Sequence, residues 1–100
     1  MAKRVYVLTR DLLFRSKLRD LVAALGGVIT RDASVGDLAV IELEADAWEQ
    51  RLRELTGRGV PTLAFGAHVN AELLRRAREL GAEAVPNSQV ERRLTELLET

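Results

Sequence analysis

The sequence predicts an α/β fold in which strands and helices alternate around one parallel sheet. Five short apolar segments are separated by longer segments whose leucines recur at helical spacing. The most continuously apolar segment, residues 37–43 (DLAVIEL), is typical of a central strand buried on both faces. Alternation of this kind places helices on both faces of a doubly wound sheet.

The predicted strands are short and rich in apolar and β-branched residues. In chain order they cover residues 4–9, 28–30, 37–43, 60–65 and 82–85. Four helices follow the first, third, fourth and fifth strands, and each carries one apolar face. Their predicted N-caps are Asp11, Asp46, Asn70 and Ser88, and both Asp46 with Glu49 and Ser88 with Glu91 have capping-box spacing.

Five strands in this pattern indicate the flavodoxin-like order 2-1-3-4-5. Only residues 31–36 join the second strand to the third, whereas a parallel crossover normally takes about a dozen residues. Either an extended strap makes this crossover or the second strand forms a hairpin with the third, and we favour the strap. The helix between strands 2 and 3 is therefore missing. We expect the face of strands 1 and 3 beneath it to be under-covered and to serve a homodimer or another protein partner.

The composition of the chain limits the classes of function that it can have. One hundred residues with nearly half of them hydrophobic suit a single domain over residues 1–100. Zero cysteine excludes disulfides and thiolate chemistry. The start of the chain leads directly into a strand and no long apolar run occurs, so we expect a cytoplasmic protein with no membrane contact. Fifteen basic and fifteen acidic residues balance to zero, which makes nucleic-acid binding an unlikely role.

Four segments resemble the response-regulator receiver domain family over essentially the whole chain, apart from the missing helix. These segments are residues 4–18 (RVYVLTRDLLFRSKL), 37–43 (DLAVIEL), 61–72 (PTLAFGAHVNAE) and 81–88 (GAEAVPNS). The resemblance implies a receiver fold and a role in bacterial signalling or regulation through an unidentified protein partner.

The resemblance also implies a phosphoryl-transfer site, and its acidic positions are altered here. The phosphoacceptor aspartate of receivers falls on Glu42. The two acidic residues that hold Mg²⁺ fall on Thr9 and Arg10, with only Asp11 remaining next to them. A guanidinium at Arg10 would repel a cation that needs about six oxygen ligands, so we expect no metal.

The two switch positions of the family are altered as well. The hydroxyl residue that orients the phosphoryl group falls on Gly66, and the lysine that pairs with it falls near Asn87 or Ser88. Without metal, hydroxyl and ammonium, little would stabilise a transferring phosphoryl group. The sequence therefore predicts a non-enzymatic pseudo-receiver that has kept the scaffold and lost the chemistry.

Two interpretations of Glu42 stay open. An Arg10–Glu42 ion pair would replace the metal–aspartate contact and hold a state like the phosphorylated one. Alternatively, Glu42 merely ends a strand at a solvated edge.

A different class of function would be a small enzyme or ligand-binding protein that uses the carboxyl edge of the sheet. The only histidine, His68, would join Asp11 and Glu42 there as an acid–base set, or Arg10 and His68 would bind an anion. A single histidine without a nearby nucleophile is more typical of an exposed or turn-stabilising residue. Two further arginines at the start of the first helix, Arg15 and Arg19, are candidates for anion binding at the sheet edge, although solvated side chains are the more typical explanation. No cofactor is expected, since residues 9–14 (TRDLLF) lack the glycines of a phosphate-binding loop.

Two further features favour structural roles. Trp48 is more typical of a core residue than of an anchor for a partner. The arginines of residues 75–78 are typical of a solvated helix face with pairs such as Glu72–Arg76.

Overall fold

The computed structural model describes residues 3–99, which form a five-stranded parallel sheet with four α-helices. The strands are β1 (Arg4–Leu8), β2 (Val28–Thr30), β3 (Leu38–Glu42), β4 (Thr62–Gly66) and β5 (Glu83–Pro86). The helices are α1 (Leu12–Ala24), α2 (Trp48–Gly57), α3 (Ala71–Glu79) and α4 (Val90–Leu98). The strand order is β2-β1-β3-β4-β5, so the predicted flavodoxin-like topology is confirmed.

The sheet has a separate apolar cluster on each face, because successive side chains of a strand point to opposite sides. Val5, Val7 and Val40 pack with α1 and α4, whereas Tyr6 and Ile41 pack with α2 and α3. The first four residues of β3 are all buried, as predicted for a central strand. None of the helices within residues 3–99 combines the length and the apolar character that crossing a bilayer requires.

The connection from β2 to β3 is a strap, residues 31–37, which contains one turn of 3₁₀ helix at Ala33–Val35. It crosses over β1, which pairs in parallel with both β2 and β3, so the hairpin alternative is wrong. Arg58, just beyond α2, fixes the strap by donating to the carbonyl oxygens of Ala33 (2.6 Å) and Ser34 (3.2 Å). Asp37 ends the strap, and its carboxylate accepts a hydrogen bond from the backbone N–H of Arg4 at 2.9 Å.

The prediction that the face of strands 1 and 3 is under-covered is wrong. Tyr6 is only 5% exposed, and Ala39 and Ile41 are fully buried. The strap lies close to this face, since a Cβ atom on Gly36 would stand 3.1 Å from Tyr6 Cβ. A homodimer through this face therefore loses its structural basis. Exposed apolar side chains lie instead at the β2 edge, where Val28 is 50% exposed.

One of the four predicted N-caps is confirmed. The carboxylate of Asp11 accepts hydrogen bonds from the backbone N–H groups of residues 13 and 14, both at 3.0 Å. The Asp46 cap is wrong because the chain enters α2 through Ala47, whose left-handed backbone (φ 61°) replaces a side-chain cap. Asn70 occupies its N-cap position without a capping bond, and Ser88 lies in a 3₁₀ turn, Asn87–Gln89, that precedes α4.

Candidate functional site at the carboxyl edge of the sheet

A small cavity of about 180 Å³ opens at the carboxyl ends of β1, β3 and β4. Ligands of open α/β sheets bind at this edge. The lining residues are Thr9, Asp11, Phe14, Glu42, Phe65 and Asn87. The four polar residues were predicted to lie here, and the two aromatic residues were not. The ring centroids of Phe14 and Phe65 are 5.1 Å apart.

Glu42 is the most buried carboxylate of this edge, with a side chain that is 18% exposed. Its Oε1 accepts hydrogen bonds from Thr9 Oγ1 at 2.7 Å and from the backbone N–H of Arg10 at 2.9 Å. Its Oε2 lies 3.5 Å from Arg10 Nη2, so the predicted Arg10–Glu42 contact is confirmed. The Arg10 side chain is mostly exposed, and the ion pair itself is therefore worth about 1 kcal/mol or less. The shorter bonds to Thr9 and the Arg10 backbone do more to fix the carboxylate.

Glu44 extends this network and was missed by the sequence analysis. Its Oε2 lies 3.3 Å from Arg10 Nη2, and its Oε1 accepts a hydrogen bond from Asn70 Nδ2 at 2.9 Å. The side chain of Asn70 therefore binds the β3–α2 loop and does not cap α3. A second acid two positions beyond the end of a central strand is the only sequence signal that could have indicated Glu44.

The side chains present do not fit the Mg²⁺ site of receivers. Arg10 places a guanidinium beside the half-buried carboxylate of Glu42, and Asp11 uses an oxygen to cap α1. Within residues 3–99 no group of three or more His, Asp or Glu side chains is arranged to hold a metal ion. A site that wants about six oxygens is not assembled from these residues.

The residues predicted to occupy the switch positions contribute neither a hydroxyl nor an ammonium group to the cavity. Gly66 ends β4, is buried, and pairs with Pro86 of β5. Of the two positions considered for the family's lysine, Asn87 lines the cavity, whereas Ser88 is exposed in the adjacent 3₁₀ turn and does not line it.

The proposed acid–base set is not assembled, because His68 is exposed in the β4–α3 loop and does not line the cavity. Arg15 and Arg19 lie on α1 beside β2, away from the lining of this cavity, and Arg15 donates to the Val7 carbonyl oxygen at 2.8 Å. Trp48 is half-buried against the α2–α3 side of the sheet, in agreement with a core role.

The arginines of α3 each have a partner, as expected of a salt-bridged face. Arg75 pairs with Glu72, Arg76 reaches Glu49 of α2 at 3.4 Å, and Arg78 donates to the Ala84 carbonyl oxygen at 2.9 Å. The predicted Glu72–Arg76 pair is thus replaced by contacts that tie α3 to its neighbours. Hydrogen bonds from Arg76 and Arg53 hold the pKa of Glu49 below its ordinary value.

Comparisons with known proteins place the fold. No family model matches the sequence, and no curated protein sequence matches it. Among solved structures, the CheY-like receiver domain of Methanospirillum hungatei has a TM-score of 0.78 at 13% identity, covering 99% of this chain and 95% of that one. The magnesium-bound receiver domain of a Pseudomonas aeruginosa sensor histidine kinase has a TM-score of 0.77 at 13% identity, covering 99% and 96%.

Full-length FixJ from B. japonicum is similar over 97% of this chain, with a TM-score of 0.76 and 22% identity. The chain spans only 56% of the length of FixJ. The three similarities together show that the chain has the fold of response-regulator receiver domains.

Proposed function

We propose that this chain is a pseudo-receiver, which keeps the receiver scaffold without phosphoryl transfer and acts through a protein partner in bacterial signalling or regulation. The observation that supports this most is the state of Glu42. The carboxylate at the phosphoacceptor position already accepts two hydrogen bonds and faces a guanidinium.

The proposal assigns a structural role to the Arg10–Glu42 pair. In a receiver the metal and the phosphoryl group connect the ends of the first and third strands. Here Thr9 and Arg10 at the end of β1 make that connection directly to Glu42 of β3. The pair therefore acts as a permanent lock on the arrangement of the two loops, with no input from a kinase.

Incubation with acetyl phosphate and Mg²⁺, followed by intact-mass spectrometry, tests the loss of chemistry. We expect no phosphorylated species, while a receiver with an aspartate acceptor is modified under the same conditions. The Glu42→Gln variant is the matched control, since any modification that vanishes in it would identify Glu42 as an acceptor. Stoichiometric phosphorylation of Glu42 would overturn the proposal.

Backbone amide NMR spectra test the lock. Beryllofluoride with Mg²⁺ should leave the amide signals of residues 9–11 and 42–44 in place in the wild-type protein. Glu42→Gln, which keeps the shape and removes the charge, should shift those signals and leave the signals of β5 unchanged. Shifts with beryllofluoride in the wild type would contradict the lock.

The size of the cavity at the carboxyl edge favours a protein partner over a small-molecule substrate bound there. About 180 Å³ lies below the roughly 300–1,000 Å³ of most ligand pockets. Native mass spectrometry of the purified protein tests this preference, because a retained small molecule would support the ligand-binding alternative. Self-association stays a prediction that sedimentation velocity tests.

A further inference from the structure

A basic groove runs between α1 and the edge strand β2, away from Glu42. Two adjoining cavities of about 380 and 190 Å³ share the same central residues. The groove is lined by three arginines and by apolar side chains, namely Arg15, Arg19, Arg31, Leu12, Val28 and Ile29. We call this feature the α1–β2 groove.

The positive charge of the groove is largely uncompensated. Among the described residues 3–99, no carboxylate lines either cavity. Within residues 3–99 Arg31 has no ion-pair partner, and the carboxylate of the adjacent Asp32 is turned to Ser34, whose N–H and Oγ lie at 2.9 and 2.6 Å. Arg19 lies 3.6 Å from the exposed carboxylate of Asp20 and donates a hydrogen bond to Ser16 Oγ at 3.1 Å, both on its own helix.

Arg15 is held in place within this cluster. Its guanidinium donates to the Val7 carbonyl oxygen at 2.8 Å. Burial, and then the neighbouring charge of Arg31, lower the pKa of Arg15 below its ordinary value. A bound anion would offset the repulsion between these two guanidinium groups, so the groove is arranged to accept negative charge.

We propose that the α1–β2 groove binds an extended acidic segment of a partner protein. Carboxylates of the segment pair with Arg15, Arg19 and Arg31, whose planar guanidinium groups match carboxylates in bidentate geometry. An apolar side chain of the segment packs between Leu12, which is 74% exposed, and Ile29.

Two observations favour a peptide over a nucleic acid. In the part of the chain that the structure describes, no aromatic side chain lines the groove, so bases would have nothing on which to stack. β2 is an edge strand of the sheet, with β1 as its neighbour on one side, and its outer row of backbone groups can pair with an extended peptide.

Fluorescence anisotropy with a labelled glutamate-rich peptide that contains one central leucine tests the proposal. We expect saturable binding that weakens as salt is raised, because the contacts are ionic. Arg31→Gln and Arg19→Gln should each raise the Kd about five- to tenfold. Arg75→Gln, which removes the same charge from α3 on the opposite face of the sheet, should leave the Kd unchanged.

Arg19→Gln and Arg31→Gln should both keep the fold, which circular dichroism checks. Arg19 and Arg31 are exposed, whereas substitution of Arg15 would also remove its bond to Val7. The proposal is overturned if the peptide fails to bind, or if Arg31→Gln and Arg75→Gln weaken binding equally. Tighter binding of single-stranded oligonucleotide, of anionic vesicles or of inorganic phosphate at equal charge concentration would also overturn it.

The inference rests on the protein-contact part of the proposed function and is independent of Glu42. Phosphorylation of Glu42 would overturn the pseudo-receiver proposal and leave peptide binding intact. Loss of peptide binding in a protein that resists phosphorylation would overturn the groove alone.

Discussion

The strap and α2 make neighbouring crossovers on the same face of the sheet, yet they are held in different ways. α2 joins β3 to β4 and buries Leu52 and Leu55 completely. The strap joins β2 to β3, and none of the residues of its 3₁₀ turn is fully buried. It is fixed instead by Arg58 and Asp37, through hydrogen bonds to backbone groups.

A receiver-like sheet can thus be covered where a crossover helix is missing. Apolar burial beneath a helix stabilises in proportion to the area removed from water. A strap with little to bury covers the sheet only by lying close to it, which the lack of a Cβ at Gly36 permits over Tyr6. We therefore expect substitutions under α2 to lower the stability of the protein strongly and those in the strap to lower it little.

Leu52→Ala should destabilise the protein by about 2–5 kcal/mol, because it removes a fully buried side chain and leaves a cavity under α2. Denaturant unfolding monitored by circular dichroism measures the change. The matched control is Leu13→Ala, since Leu13 is 84% exposed and should change stability by less than about 0.5 kcal/mol. Equal losses for both variants would contradict the assignment of α2 as the main cover.

Arg58→Met should lower the free energy of unfolding by about 1 kcal/mol, because it removes the two hydrogen bonds that hold the strap and keeps most of the side-chain length. Hydrogen exchange should also become faster in residues 31–37 and stay unchanged in β4. Arg53→Met removes only an exposed pair with Glu49 and is the control. Unchanged exchange in the strap would show that Arg58 does not fix it.

Ala47→Gly should stabilise the protein by roughly 0.5–1 kcal/mol. Ala47 has φ 61° at the start of α2. This left-handed conformation is strained for a residue with a Cβ atom and is adopted by glycine with little strain. Ala23→Gly, in the ordinary helical backbone of α1, should have the opposite sign. Thermal unfolding of both variants measures the two shifts, and a loss of stability in Ala47→Gly would refute the argument from strain.

Asp37→Asn should show the smallest effect, and one that depends on pH. The backbone N–H of Arg4, followed by its guanidinium, lowers the pKa of the Asp37 carboxyl below its ordinary 3.8. A carboxyl group whose pKa is lower in the folded protein stabilises the fold at pH values above its pKa in the unfolded chain. This contribution disappears as the pH falls through its pKa in the folded protein. The variant should therefore be less stable than wild type at pH 7, and the difference should shrink below about pH 4.

Parallel urea titrations at pH 7 and at low pH measure this difference. Asp20→Asn, which removes an exposed carboxylate from α1, is the control for charge alone. A difference that grows toward low pH would contradict the sign.

The carboxyl edge and the α1–β2 groove also differ in how far the charges of their arginines are compensated. At the carboxyl edge, Arg10 is shared by Glu42 and Glu44, and each carboxylate has a further donor. In the α1–β2 groove, Arg31 has no carboxylate partner among residues 3–99. A site with satisfied charges is suited to a fixed structure, whereas unsatisfied charges on a groove are suited to a partner.

Elements with strong periodicity were predictable, and contacts between loops were not. The buried run before Glu42 and the leucine spacing of α1 identified strand and helix because side-chain period follows backbone geometry. The Arg10–Glu42 contact was predictable once the order 2-1-3 placed the ends of β1 and β3 side by side. The caps at Asp46 and Asn70 failed, because the left-handed turn at Ala47 and the acceptor Glu44 are set by loop packing.

The sequence by itself determined the parallel sheet, its strand order and the absence of an α-helix between β2 and β3. These follow from local patterns of residue type, which local physics converts into strands, helices and charge. Only the tertiary structure decided that the strap covers Tyr6, that Glu44 joins the Arg10 network and that Arg31 meets Arg15 beside β2. Each depends on residues distant in sequence, whose separation in space is fixed only when the sheet and its helices pack together.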